Sequence, residues 1–350
     1  MGRQSLKKIK MKKTIIIAEA GVNHNGELSK AKELIKVAAD AGADFVKFQT
    51  FKADKMVSKS AKKATYQTKN FNDQDDSQYN MLKRLEMPLE WYDELLAYAH
   101  RLNISFLSTG FDEDSMDFLD SLDPELFKIP SGEITNKPYL EHIGRKGRKV
   151  LLSTGMANME EILQAIAVLQ QAGLDKQQIT VLHCNTEYPT PMKDVNLMAM
   201  LHIQKELGVE VGYSDHTLGI EVPIAAVSLG AKVIEKHFTL DRNLSGPDHK
   251  ASLEPEELKA MVSSIRNIEQ AITGSGRKEP SESEKINKAI ARKSIHLLKK
   301  LKAGHVIQKA DLIMRRPGDG ISPMEIEDVL GKVINKDLQE DSKLLWADLN

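Results

Sequence analysis

Short apolar runs and helical patterns alternate along most of the chain. Strand-like runs fall at 14–21 (TIIIAEAG), 44–50 (DFVKFQT), 104–110 (ISFLSTG), 126–132 (LFKIPSG), 149–155 (KVLLSTG), 179–185 (ITVLHCN), 209–215 (VEVGYSD) and 231–238 (AKVIEKHF). Between them, apolar residues recur at helical spacing. Ala31, Leu34, Ile35 and Ala38 share one face of one such segment, and Ile162, Ala165, Ile166 and Leu169 share one face of another. Eight strand–helix units within about 270 residues is the count of a parallel (β/α)8 TIM barrel. A doubly wound sheet is the other α/β arrangement, but it seldom needs eight units in this length.

One connection breaks the rhythm, and the two ends of the chain lie outside it. Residues 52–86 are far too long for a turn between strand and helix, and they follow the second strand, on the face where such barrels carry their chemistry. They read as a lid or binding element. Gly, Ser, Pro and charge mark 274–290 as a linker after a barrel domain at 14–273. The remainder, 291–350, has short alternating runs and turn signals and is a small domain with RRPGDGISP at its centre. Residues 1–13 are a basic extension, and Met11 is an alternative start.

Composition narrows the function classes. With 49 basic and 50 acidic residues the net charge is −1, which gives no bulk attraction to nucleic acid or to a membrane surface. Apolar residues make up 41% and charged residues 28%, as in ordinary globular proteins. A single cysteine, Cys184, permits no internal disulfide, and no apolar run reaches the length of a membrane span. A cytoplasmic protein is expected.

Chemistry gathers where the strands stop. The strand ends carry Glu19 and Asn23; Lys47 and Gln49; Ser108 and Thr109; Lys128, Ser131 and Glu133; and Ser153 and Thr154. Further along they carry His183 and Asn185; Ser214, Asp215 and His216; and Glu235, Lys236 and His237. A strand buried on both faces has no packing need for lysine, so a ring of polar ends points to a site. Lys47 and Lys128 with the hydroxyls of Thr109, Ser131 and Ser153 are the donors that hold phosphate or carboxylate. His216 and His237, on consecutive strands with acidic neighbours Asp215 and Glu235, suit a divalent ion. No G-x-G-x-x-G or Walker loop supports nucleotide binding. Asn23, His24 and Asn25 fall in a sequence, NHNG, that also makes a sound turn by itself.

The motifs IIIAEAGVNHNG, DFVKFQTFKADK, FKIPSGE, LLSTGMA, HCNTEYPTP, GYSDHT, EKHFTLDRNLSGPDH and RRPGDGISP together resemble the bacterial sialic acid synthase family, in order from about Thr14 to the C-terminus. This family covers N-acetylneuraminate synthase and its legionaminic and pseudaminic acid relatives. The resemblance implies a TIM barrel followed by a small antifreeze-like (SAF) domain, in a homodimer where each small domain caps the partner's barrel. It implies condensation of phosphoenolpyruvate with N-acetylmannosamine and water, giving N-acetylneuraminate and phosphate. A 6-deoxy diacetamido sugar is the alternative substrate, giving N,N'-diacetyllegionaminate or pseudaminate. It also implies a divalent metal, Mn2+ before Mg2+ or Co2+, on His216 and His237, with Glu19 and His237 as catalytic residues. Matching positions assign Lys47, Thr109, Ser131 and Ser153 to the phosphate and Lys128 and Ser214 to the carboxylate. Gln49, Glu133, Tyr188 and Asp248 match sugar contacts, and Arg316 matches an arginine from the partner's cap. Some members read CTNIYP where this chain reads CNTEYP, so Asn185 and Thr186 are both candidates for the phosphate-binding position.

Overall fold

The computed structural model describes residues 13–71 and 75–350. The N-terminal extension therefore lies, up to residue 12, outside the described residues. Two compact units divide the chain at Gly274.

The first unit is an eight-stranded parallel barrel. Its strands are β1 (Ile15–Gly21), β2 (Phe45–Thr50), β3 (Ser105–Gly110), β4 (Leu126–Ile129), β5 (Lys149–Ser153), β6 (Ile179–His183), β7 (Glu210–Asp215) and β8 (Val233–His237). They run in the order β3-β2-β1-β8-β7-β6-β5-β4, and β4 comes back alongside β3, so the ring is nearly closed. Helices cover the outside with the faces that the periodicity predicts. Met159–Gln171 buries Ile162, Ala165, Ile166 and Leu169, and it starts on a capping box of Asn158 and Glu161. Leu28–Ala41 buries Ala31, Leu34, Ile35 and Ala38 and ends at Gly42 in the left-handed conformation.

Inside the barrel an apolar floor of Ile17, Phe45, Leu107, Leu126, Leu151, Leu182 and Val233 packs as its own cluster. Strand alternation then places every second residue inward, above that floor. From Ile17 this gives Glu19; from Phe45, Lys47 and Gln49; from Leu107, Thr109; from Leu126, Lys128; and from Leu151, Ser153. From Val233 it gives Glu235 and His237. In β7 the inward place at floor level belongs to Gly212, where a Cβ would lie 2.4 Å from the Val233 carbonyl oxygen and 2.7 Å from Leu182 Cδ2. Ser214 and His216 follow it into the mouth.

The stretch 52–86 is more ordered than a loop. It contains the helices Ala53–Met56, Thr65–Phe71 and Gln78–Leu85, and its Met81, Leu82 and Leu85 pack with Val22 and Phe51. In the second unit the segment read as a linker carries a helix, Glu282–Ala291, capped by Ser281 and Glu284, which its Gly, Ser and Pro content concealed. Beyond it, β9 (Ser294–Leu297) pairs antiparallel with β10 (Leu312–Arg315) over a small core that includes Ile295, Leu297, Ile321, Ile334 and Leu344.

Candidate active site

Two lysines meet two carboxylates at the centre of the barrel mouth. Lys47 Nζ lies 2.8 Å from Glu19 Oε2 and 3.5 Å from Glu235 Oε2, and it donates to Thr109 Oγ1 at 2.9 Å. Lys128 Nζ and Ser214 Oγ both donate to Glu235 Oε1, at 3.0 and 2.8 Å. All of these side chains are buried. The lone hydroxyl of Ser153 is buried with no hydrogen-bond partner among the described residues.

The electrostatics follow from burial and pairing. Burial pushes the Glu19 carboxyl up to about 7; Lys47 opposes this and the charge of Glu235 reinforces it. Burial also acts on Glu235, but Lys128 and Lys47 together overcome it and hold its carboxyl below the usual range. Lys47 shows the mirror balance: burial disfavours its charge, and Glu19 and Glu235 more than restore it. Lys128 stays below the ordinary lysine value because burial outweighs Glu235. One carboxylate thus carries a firm negative charge between two ammoniums, and the second is poised near neutrality. The two lysines and the hydroxyls beside them are donors of the kind that hold phosphate or carboxylate.

Beside this cluster stand the two imidazoles. The rings of His216 and His237 are 5.5 Å apart, and the Tyr188 ring lies 4.1 Å from His216 and 5.6 Å, edge-on, from His237. Burial drives the pKa of His216 down to about 4 and that of His237 well below its ordinary value, and the nearness of a second imidazole further disfavours protonation of His237. Both rings are therefore neutral, the form that binds cations. His216 donates from Nδ1 to the Asn185 carbonyl, which fixes its tautomer and leaves Nε2 as a lone pair. His237 Nδ1 is buried without a hydrogen-bond partner among the described residues and lies 3.9 Å from Asp248 Oδ2. The Asp248 carboxyl is itself raised by burial to about 6, against the pull of Lys47. These donors fit a divalent ion whose remaining positions are filled by oxygen ligands. Among the described residues, no group of three His, Cys, Asp or Glu converges as a ready cluster.

The local backbone explains how these groups meet. The β1–β2 pairing shifts register between Glu19 and Gly21, and Gly21 takes φ +53°. A Cβ on Gly21 would lie 3.3 Å from Gln49 Nε2, Glu19 Oε1 and His237 Cε1. The glycine lets β1 turn away while the three side chains close over it. Gln49 Nε2 reaches Glu19 Oε1 at 3.4 Å.

Other expected residues stand further from this centre. Ser131 accepts from the Gly155 amide at 2.9 Å and lies 3.3 Å from Cys184 Sγ, so it is tied to the ends of β5 and β6. Glu133 accepts from Asn136 at the start of the helix Lys137–Arg145. The Asn185 amide turns into its own loop, accepting from Glu187 N at 2.8 Å, and its backbone carbonyl holds His216. The Thr186 methyl group packs where a Cβ on Gly155 would sit. Arg316 belongs to the second unit, where it is exposed.

Alternation corrects two expectations. Asp215 does not neighbour the histidine pair; it points outward under the helices, fully buried against Lys236 Nζ at 2.5 Å. His183 also points out of the barrel and bonds the carbonyls of Val195 and Asn196. Glu235, by contrast, was legible only as a possible neighbour of the ion. Its role as the shared acceptor of Lys128 and Ser214, and as second partner of Lys47, needs the barrel to be closed.

The barrel mouth thus gathers two lysines, two carboxyls in different protonation regimes and two neutral imidazoles, the donor set of a site suited to an anionic ligand and a cation. The NeuB family profile matches residues 34–278 and the SAF domain profile matches residues 292–350. The chain belongs to the NeuB family. It is 54% identical over 331 residues to the N,N'-diacetyllegionaminic acid synthase of Campylobacter jejuni, covering 95% of this chain and 98% of that protein. It is 50% identical to the N,N'-diacetyllegionaminic acid synthase of Legionella pneumophila, covering 95% of this chain and 93% of that protein. The solved N-acetylneuraminic acid synthetase of Leptospira borgpetersenii, in complex with citrate, superposes with a TM-score of 0.68 at 33% identity, covering 81% of this chain and 95% of that chain. Among the described residues, no helix is long and apolar enough to cross a membrane.

Proposed function

We propose that this chain condenses phosphoenolpyruvate with a 6-deoxy diacetamido sugar and water, giving N,N'-diacetyllegionaminate and phosphate. The motifs alone put N-acetylmannosamine first. The two relatives at 54% and 50% identity favour the diacetamido sugar over the N-acetylneuraminate reading, whose solved relative stands at 33%. The observation that carries the chemistry is the convergence of Lys128 Nζ and Ser214 Oγ on one carboxylate oxygen, with Lys47 and Thr109 beside it. That donor pair suits the substrate carboxylate, and Lys47, Thr109 and Ser153, whose hydroxyl has no partner among the described residues, suit its phosphate.

Carbon 3 of phosphoenolpyruvate forms the new bond to the open-chain aldehyde of the sugar, and the positive charge that develops at carbon 2 is quenched by water. Glu19 takes the proton of that water, and its carboxyl at about 7 makes it a base at working pH. Collapse of the tetrahedral centre expels phosphate, which leaves with the second proton of the water, and the proton first taken by Glu19 passes on to the aldehyde oxygen, which ends as a hydroxyl. His216 and His237 hold a divalent ion, Mn2+ in preference to Mg2+ or Co2+. When bound, the ion polarises the aldehyde. Gln49, Glu133, Tyr188 and Asp248 face the sugar, and the small unit of a second copy presents Arg316 to it.

The deciding experiment measures phosphate release from phosphoenolpyruvate with Mn2+ and each sugar in turn. Faster turnover of the diacetamido sugar is expected. A preference for N-acetylmannosamine would overturn the sugar assignment, and no release with either would overturn the reaction.

A further inference from the structure

The turn after β1 is fastened to a loop far away in the chain. Asn25 takes φ +51°, and its side-chain amide makes two bonds in opposite senses. Nδ2 donates to the Ser245 carbonyl at 3.0 Å, and Oδ1 accepts from His249 Nε2 at 3.1 Å. Ser245 and His249 are the two ends of loop 245–249, and Asp248 sits between them. The His249 ring is fully buried, and burial lowers its pKa to about 4, so it is neutral. Its one N–H goes to Asn25, and Nδ1 accepts from the Thr239 hydroxyl at 2.6 Å.

We propose that Asn25 is a positioning residue: one amide brackets both ends of loop 245–249 and sets the Asp248 carboxyl beside His237. Two further ties hold the same loop. Asn70, from the helix Thr65–Phe71, donates to the Pro247 carbonyl at 2.7 Å. Asn23 donates to Ser252 Oγ at 3.0 Å, and that hydroxyl donates to the Asp248 carbonyl at 2.7 Å. Asn25 differs from both because it alone grips the loop on either side of the acidic residue. Loss of its amide leaves the loop attached and frees Asp248 to drift. This inference rests on the sugar-facing role of Asp248 proposed above.

The test compares the intact wild-type chain with Asn25→Gly, which accepts the same backbone angle without strain, in steady-state turnover of phosphoenolpyruvate and the diacetamido sugar with Mn2+. The sugar KM is expected to rise by about 10-fold or more, because small displacements of a binding group are costly, while the phosphoenolpyruvate KM stays within about twofold. In an Asp248→Asn background the same change is expected to add less than about twofold, since Asn25 acts through that carboxyl. An unchanged sugar KM, or a full additive effect in the double variant, overturns the proposal. Should Asn25→Gly fail to fold, Asn25→Asp keeps the acceptor for His249 and loses the donor to Ser245; a sugar KM equal to wild type then overturns it. If the wild-type chain turns over neither sugar, the reaction assigned above has failed on its own account. Amide hydrogen exchange then decides: faster exchange across 245–253 in Asn25→Gly supports the bracket, and identical exchange overturns it.

Discussion

Glu19 and Glu235 are the same residue type in the same cavity, yet they are held in different protonation regimes. Each feels burial, which favours the neutral acid. Glu235 is flanked by both ammoniums and stays ionised, while Glu19 has one close lysine and another carboxylate nearby. When environments push two carboxyls apart in this way, the one nearer neutrality is the group able to exchange a proton during turnover. The base form of Glu19 accumulates as pH rises through about 7, so kcat/KM is expected to climb through that region and level off above it. Glu19→Gln is expected to lower kcat by about 10²–10⁴-fold and to remove that rising limb. The measurement is phosphate release across the pH range. A variant that keeps the same limb would pass the role to another group.

At the scale of elements, the close approach of β7 and β8 matters most. These strands carry Ser214, Glu235 and His237, and their spacing depends on Gly212, the inward residue with no room for a side chain. A Cβ there would press on the Val233 carbonyl, which is backbone and cannot rotate away. Gly212→Ala is expected to cost about 1–3 kcal/mol, as overpacking of a tight core does. It should also weaken turnover, because displacing β8 moves Glu235 and His237 together. Urea unfolding monitored with turnover checks both effects, and a variant as stable and active as wild type would show that the strands part without penalty. The buried Asp215–Lys236 pair lies between the same two strands on their outer face. Two hydrogen bonds from Thr217 to Asp215 complete the shell of that carboxylate, which is what a buried charge requires.

For the whole molecule, the question is whether a second copy completes the site. Arg316 lies in the small unit on the turn RRPGDG, and its proposed partner is the sugar in a second copy's barrel. Arg316→Ala is therefore expected to raise the sugar KM with little change for phosphoenolpyruvate. A mixing experiment separates the partner's arginine from the chain's own. Glu19→Gln and Arg316→Ala, each impaired alone, should regain activity on subunit exchange, because hybrid pairs hold one barrel with Glu19 intact that is served by an intact Arg316. Activity no higher than the average of the two parents would place the arginine in its own chain or outside the site.

Local pattern was enough for the barrel and for most of its polar mouth. Eight apolar runs separated by helical faces leave a parallel barrel as the economical way to bury both, and that much depends on neighbours in sequence. A stricter use of strand period would also have turned Asp215, Lys236 and His183 outward, since each is one residue from an inward position. What no local pattern contains is register between strands distant in sequence. Closure of the ring makes Glu235 the shared acceptor of Lys128 and Ser214, brings the rings of His216 and His237 within 5.5 Å, and lets Asn25 grasp Ser245 and His249. Sequence by itself determined which residues are polar at the strand ends. Tertiary structure decided which of them touch, because hydrogen bonds and ion pairs depend on distances that only the assembled barrel sets.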